Sequence, residues 1–157
     1  MNQKSVGVRI APFAVGIACF ILPFLQISCD GKKMMQFTGV QLVTGSEMKD
    51  PMSGQTKKVP ADPLAVVTLI ALLAGAGLCS SAARSNSIAA AVAGGIATVS
   101  MLIFKTRMDA EITKQAAGMP ITVDYLVGFW IVCLAAVAGL VLSIIRVKEK
   151  GTGIPGG

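Results

Sequence analysis

Cysteine and methionine carry the softest chemistry in this chain, and their placing limits what that chemistry can be. Cys19, Cys79 and Cys133 lie within apolar runs, and only Cys29 reaches a polar loop. No exported pair is available for a disulfide, and no C-x-x-C occurs, which argues against a membrane thiol oxidoreductase. Cys29 stands beside Asp30 and close to Lys32, where a reactive or acylated thiol is conceivable. A buried or interfacial structural cysteine is expected. Met34, Met35, Met48, Met52 and Met119 would suit a soft ion such as Cu(I). Their spacing follows no fixed ligand pattern, so they are expected to cover the rim of a bundle. The sequence has no histidine, which excludes bis-imidazole haem and His-containing zinc sites. No catalytic residue, cofactor or metal site is expected.

Ionisable groups within apolar spans usually mark ion or proton paths. Four runs of about 20 residues contain none: Ile10 to Cys29, Pro63 to Ala83, Ser85 to Phe104, and Tyr125 to Ile145. A proton-coupled exporter needs a carboxylate there, so that class falls. The chain is 54% hydrophobic and 14% charged, with a mean hydropathy of +0.71, whereas soluble domains are about 25% charged. The net charge of +6 resides at span ends and in loops, a topology signal and not a nucleic-acid footprint.

Lipid offers the backbone no hydrogen-bond partner, so the runs are expected to be helices. The predicted architecture is an all-α membrane protein, one domain over residues 1–157. Its bundle of four transmembrane helices has spans near 10–28, 63–83, 86–104 and 125–145. The first run has the outline of a signal peptide. Gln26 replaces the Leu usual at a lipoprotein cleavage site and Pro23 lies close upstream, so a retained span is expected. Basic residues near the span ends place both termini in the cytoplasm, with the bacterial inner membrane as the expected compartment.

Residues 29–62 then form an external loop and fold into a small cap. Asp30-Gly31 is a two-residue hairpin turn, and Thr38-Gly39-Val40-Gln41 has capping-box spacing. Gly45 ends the helical turn as a left-handed cap. Ser46 to Pro60 reads as turns, with Lys57–Val59 extended and able to pair with the first hairpin. The third helix continues beyond the bilayer over 105–117, Asp124 caps the fourth, and Tyr125, Phe129 and Trp130 anchor its end at the interface. The tail, 151–157, is expected to be flexible. Cys29, Asp30, Gly31, Thr38, Gly39, Gln41 and Gly45 make up the cap, which is read as a contact surface.

Small residues recur at helical spacing: Ala71 with Gly75, Gly77 with Ser81, Ala90-Gly94-Thr98, Ala91-Gly95, and Ala135-Gly139-Ser143. Such stripes let helices approach closely in lipid. Packing within the bundle accounts for one seam, and stripes on three helices leave some for a partner. The expected function is a non-enzymatic structural or accessory subunit, in a homo-oligomer or larger membrane complex, with membrane lipids as its surroundings. The alternative is a small pore or transporter component formed by an oligomer.

Pro23-Phe24-x-x-x-Ser28-Cys29-x-Gly31, Thr38-Gly39-x-x-Leu42-x-x-Gly45 and Val123-x-Tyr125-x-x-Gly128-Phe129-Trp130 together resemble a pattern in small bacterial four-span membrane proteins. The resemblance covers about a fifth of the chain and implies no activity. The layout is also similar to claudin-like tetraspan proteins, with a long first loop and short second link. The W…GLW…C…C signature is missing, so that resemblance implies architecture alone.

Overall fold

A computed structural model describes residues 3–29, 32–49, 56–79, 84–115 and 121–151. It is mostly helical, and it also contains a sheet. Helix α1 (Gln3–Ala18) runs through Pro12 and ends in one 3-10 turn, Cys19–Ile21. Strands β1 (Pro23–Cys29) and β2 (Lys32–Thr38) follow, then the short helix α2 (Gly39–Thr44). A ribbon of β3 (Ser46–Lys49) and β4 (Thr56–Val59) leads to α3 (Pro63–Cys79). The long helix α4 (Arg84–Gln115), strand β5 (Ile121–Tyr125) and helix α5 (Val127–Gly151) complete the chain.

The four long helices form a closed ring in which α1 and α4 each pack against α3 and α5. Strand β1 continues from α1, β5 leads into α5, and the two strands pair antiparallel. The start of α1 and the end of α5 therefore lie together, at the end of the bundle opposite the sheet.

Two helices are long and apolar enough to cross a membrane, Ser85–Lys114 and Val127–Ile145; Ile10–Ile21 and Pro63–Cys79 are shorter apolar helices. The bundle is apolar on its outer surface as well as in its core. Its seams are Ala and Gly around a few large rings, while Ile70, Leu73, Val92, Leu102, Leu134 and Val141 are exposed. Contiguous apolar surface on this scale marks an interaction with lipid or another protein. Among the described residues the buried polar side chains are Gln26, Ser28, Thr68, Ser87, Ser100 and Ser143, none of them charged.

Several expected boundaries are corrected. The first span does not reach residue 28, because Pro23 opens a strand after the 3-10 turn and Pro23–Cys29 is the centre of a three-stranded sheet, β2-β1-β5. The all-α description gives way to helices plus this sheet. Asp124 does not cap the fourth helix: it lies opposite Gln26 in β5, and the helix begins at Val127. Ser46–Lys49 is a strand, not a turn, and its partner is β4. Lys57–Val59 is extended as expected, but it pairs with β3 and not with the first hairpin. Asp30-Gly31, Ser81, residues 116–120 and the tail from 152 lie outside the described residues.

Alternation gives the sheet two different faces. Leu25 lies opposite Phe37 and Tyr125, and Ile27 opposite Met35 and Val123, forming one apolar face. Gln26 lies opposite Gln36 and Asp124, and Ser28 opposite Lys33 and Thr122, so the second face is polar. Register shifts between Pro23 and Leu25 and between Ile27 and Ser28 bend β1, as bulges do.

Candidate functional site

The small-residue stripes separate into two groups according to what fills them. Phe13 is fully buried at the middle of the ring. A Cβ built on Gly139 would stand 2.7 Å from its Cζ, and one on Gly75 would also overlap the ring. Gly75 and Gly139 are thus the holes that admit a large aromatic knob. Gly94 is used differently: its missing side chain lets α4 approach the α5 backbone, with Leu140 N 3.1 Å from where Cβ would be. Ala71, Ala90 and Ala135 are buried in the same seams. The hydroxyls of Thr98 and Ser143 donate to the carbonyls of Gly94 and Gly139, at 2.9 Å and 2.7 Å, so they satisfy themselves within their own helices.

Gly77 and Gly95 form the other group, since a methyl at either would meet nothing within 4 Å. Ala91, like Gly95, is half-buried. An apolar groove of about 400 Å³ runs between α3 and α4, lined by residues that include Val67, Ile70, Ala74, Ala89, Val92 and Ala93. Ala71, the first residue of one predicted stripe, also contributes to its floor.

The cap is tied to the bundle through local chemistry that the sequence carries. Thr38 Oγ1 accepts from Gln41 N at 3.3 Å and Gln41 Oε1 accepts from Thr38 N at 3.0 Å, a complete capping box. The glycine following Thr38 lets α2 sit on the 3-10 turn, because a Cβ at Gly39 would be 2.9 Å from the Phe20 backbone. Gly45 has φ 77° and ψ 166°, an extended conformation of positive φ and not a left-handed helical one, open essentially to glycine. Asp62 Oδ1 accepts from Leu64 N at 2.8 Å and starts α3, with Pro63 at the first helical position. Cys29 ends β1 half-buried, and no disulfide joins the four cysteines.

The extension of α4 is fastened to β5 by Tyr125. Its hydroxyl donates to Asp109 Oδ1 at 2.8 Å and lies 3.1 Å from the Lys105 carbonyl oxygen. Lys105 Nζ bonds Asp109 Oδ2 at 2.7 Å and stands 4.9 Å over the Tyr125 ring. Burial first, then the Asp109 carboxylate, pushes the phenol well above its ordinary range. The hydrogen bonds from Lys105 and Tyr125 hold the Asp109 carboxyl below its ordinary value. Of the three expected interfacial aromatics, Phe129 is buried, in contact with Tyr125 at 4.9 Å and Trp130 at 5.5 Å. Trp130 is half exposed.

Between the apolar face of the sheet and this extension lies a cavity of about 500 Å³. Leu25, Ile27, Phe37, Leu42, Phe104 and Met108 form its walls, and Asp62, Arg107 and Glu111 supply its charges. Sequence reasoning missed it because its walls come from three distant segments. The signal available was the alternation Leu25, Ile27 against Gln26, Ser28, which announces a sheet with one apolar face. Among the described residues no three His, Cys, Asp or Glu side chains gather as metal ligands; Met52 and Met119 lie outside them. Comparison with protein-family models, curated proteins and solved structures found no match.

Proposed function

We propose that the chain is an integral membrane protein of four spans that acts without catalysis, as a structural or accessory subunit associating laterally with copies of itself. The observation that carries this reading is the apolar groove between α3 and α4. In lipid, helices associate through close packing of small residues and not through hydrophobic drive. A groove of this shape accepts a ridge of Val, Ile or Leu, and the exposed faces of α4 and α5 offer such ridges. The seams around Phe13 are already filled, so the lateral face is the one with contacts left to make. A filled ring centre also gives ions no path through one protomer.

On this reading α1 and α3 are spans as well. Helix α3 has 17 residues, about 25 Å at 1.5 Å per residue, and crosses by local thinning of the bilayer. The sheet, α2 and the α4 extension lie outside, and both termini lie in the cytoplasm of a bacterial cell. Native mass in mild detergent tests the association. Wild-type protein is expected as an oligomer, and Ala74→Trp, which fills the groove from an exposed position, as a monomer with unchanged helix content. A wild-type monomer with no co-purifying subunit would overturn the reading.

A further inference from the structure

We infer that the cavity beneath the cap holds one acyl chain of a zwitterionic aminophospholipid, with the headgroup on Arg107 and Glu111. The inference rests on the membrane reading above, though not on self-association. Phe104, which lines the cavity, ends the charge-free run of α4 that starts after Arg84, and Lys105 follows it. Glu111 stands two turns further on, about 10 Å along the axis. The cavity therefore begins at the edge of the hydrocarbon and rises through the headgroup layer. At about 500 Å³ it has the size of a small-molecule site.

Its chemistry selects the occupant. The walls are aliphatic and aromatic, and suit a chain that carries no polar groups. A peptide would bring N–H and C=O groups into a space with few partners for them, at a cost for each one left unpaired. The charges select the headgroup. Arg107 and Glu111 are one helical turn apart, and among the described residues neither is in an ion pair. Asp62 adds a second carboxylate, already engaged by the start of α3. One guanidinium with two carboxylates repels a purely anionic headgroup. A phosphate joined to an ammonium matches both signs, with the phosphate on Arg107 and the ammonium toward Glu111.

The test is native mass spectrometry of the intact protein released from nanodiscs of equimolar phosphatidylethanolamine and phosphatidylglycerol. One phosphatidylethanolamine is expected to stay bound under activation that strips the rest. Arg107→Ala should lower the retained fraction about tenfold, the loss of one charge-assisted contact. Arg107 is exposed, so that variant folds. Met108→Trp should abolish retention by filling the cavity, and Glu111→Gln should shift the retained lipid toward phosphatidylglycerol. Equal retention in wild type, Arg107→Ala and Met108→Trp would overturn the inference. So would a preference for phosphatidylglycerol in the wild type, or a peptide as the retained species. Carbonate extraction of cell membranes from which the protein is prepared separates the two readings: release into solution sinks the membrane reading, whereas an embedded protein without the lipid sinks this inference alone.

Discussion

The Phe13 knob makes a quantitative prediction about which glycines serve the fold and which do not. Gly139→Ala places a methyl 2.7 to 3.0 Å from three ring carbons of Phe13, where carbon atoms prefer about 3.5–4.0 Å. The ring cannot retreat, because Gly75 holds its other side. Overpacking of this kind costs about 1–3 kcal/mol. Replacing a helical glycine by alanine returns about 0.5–1 kcal/mol, so the net loss should be about 0–2.5 kcal/mol, near 1 kcal/mol at the middle of both ranges. Gly95→Ala meets open space and should keep only the gain of about 0.5–1 kcal/mol. The two substitutions are chemically identical, and their stabilities should differ by about 2 kcal/mol with opposite signs. Unfolding by SDS in mixed micelles, followed by helical circular dichroism and the single tryptophan, measures the difference. Phe13→Leu combined with Gly139→Ala should then show a favourable coupling of about 0.5–3 kcal/mol. Equal effects at Gly139 and Gly95, or no coupling to Phe13, would refute the knob-and-hole account.

Tyr125 is the only tyrosine, so phenolate absorbance reports on it alone. Its raised folded value means that its contribution to stability is complete below the ordinary phenol range and lost as pH rises through the folded value; the depressed Asp109 carboxyl contributes above the ordinary carboxylate range and loses that contribution as pH falls. The titration midpoint should lie well above pH 10, the ordinary value, and Asp109→Asn should lower it only in part, since burial is the larger cause; a normal midpoint in the wild type would refute the clamp. Asp62→Ala removes the cap of α3 and should cost about 1 kcal/mol by the same unfolding assay, with Asp62→Asn largely preserving stability. Gly39→Val should drive α2 off the Phe20 backbone and speed proteolysis within residues 46–59 while the helices remain protected. Unchanged proteolysis would mean that α2 is seated by something other than this contact.

How much of this was legible depended on how local each signal is. The capping box at Thr38 and Gln41 involves residues three apart, and both hydrogen bonds form as their spacing announces. Charge-free runs gave the apolar helices, but not the end of the first, because Phe24 to Ile27 is as apolar as the helix before it. Ser46 to Lys49 is too polar to read as a strand; it becomes one by pairing with Thr56 to Val59. Ile121 to Tyr125 looks like the approach to a helix, and only pairing with β1, most of the chain earlier, makes it a strand. Glycine stripes identify close contact without saying with what. Phe13 decides that, and no periodicity points to a single bulky residue as the centre of a ring.

The pairing of β1 with β5 has a consequence for the life of the chain during synthesis. The central strand of the cap is made early and its second neighbour nearly last, so one edge of β1 stays open while α3 and α4 are made. An open strand edge is a template for wrong partners until the right one arrives, and such long-range closure is slow. Completion of the sheet thus reports that the chain has been made as far as the start of α5 and that α5 will begin in the right place. A chain arrested before residue 121 would carry an unfinished edge, a structural mark by which quality control could recognise an incomplete protein.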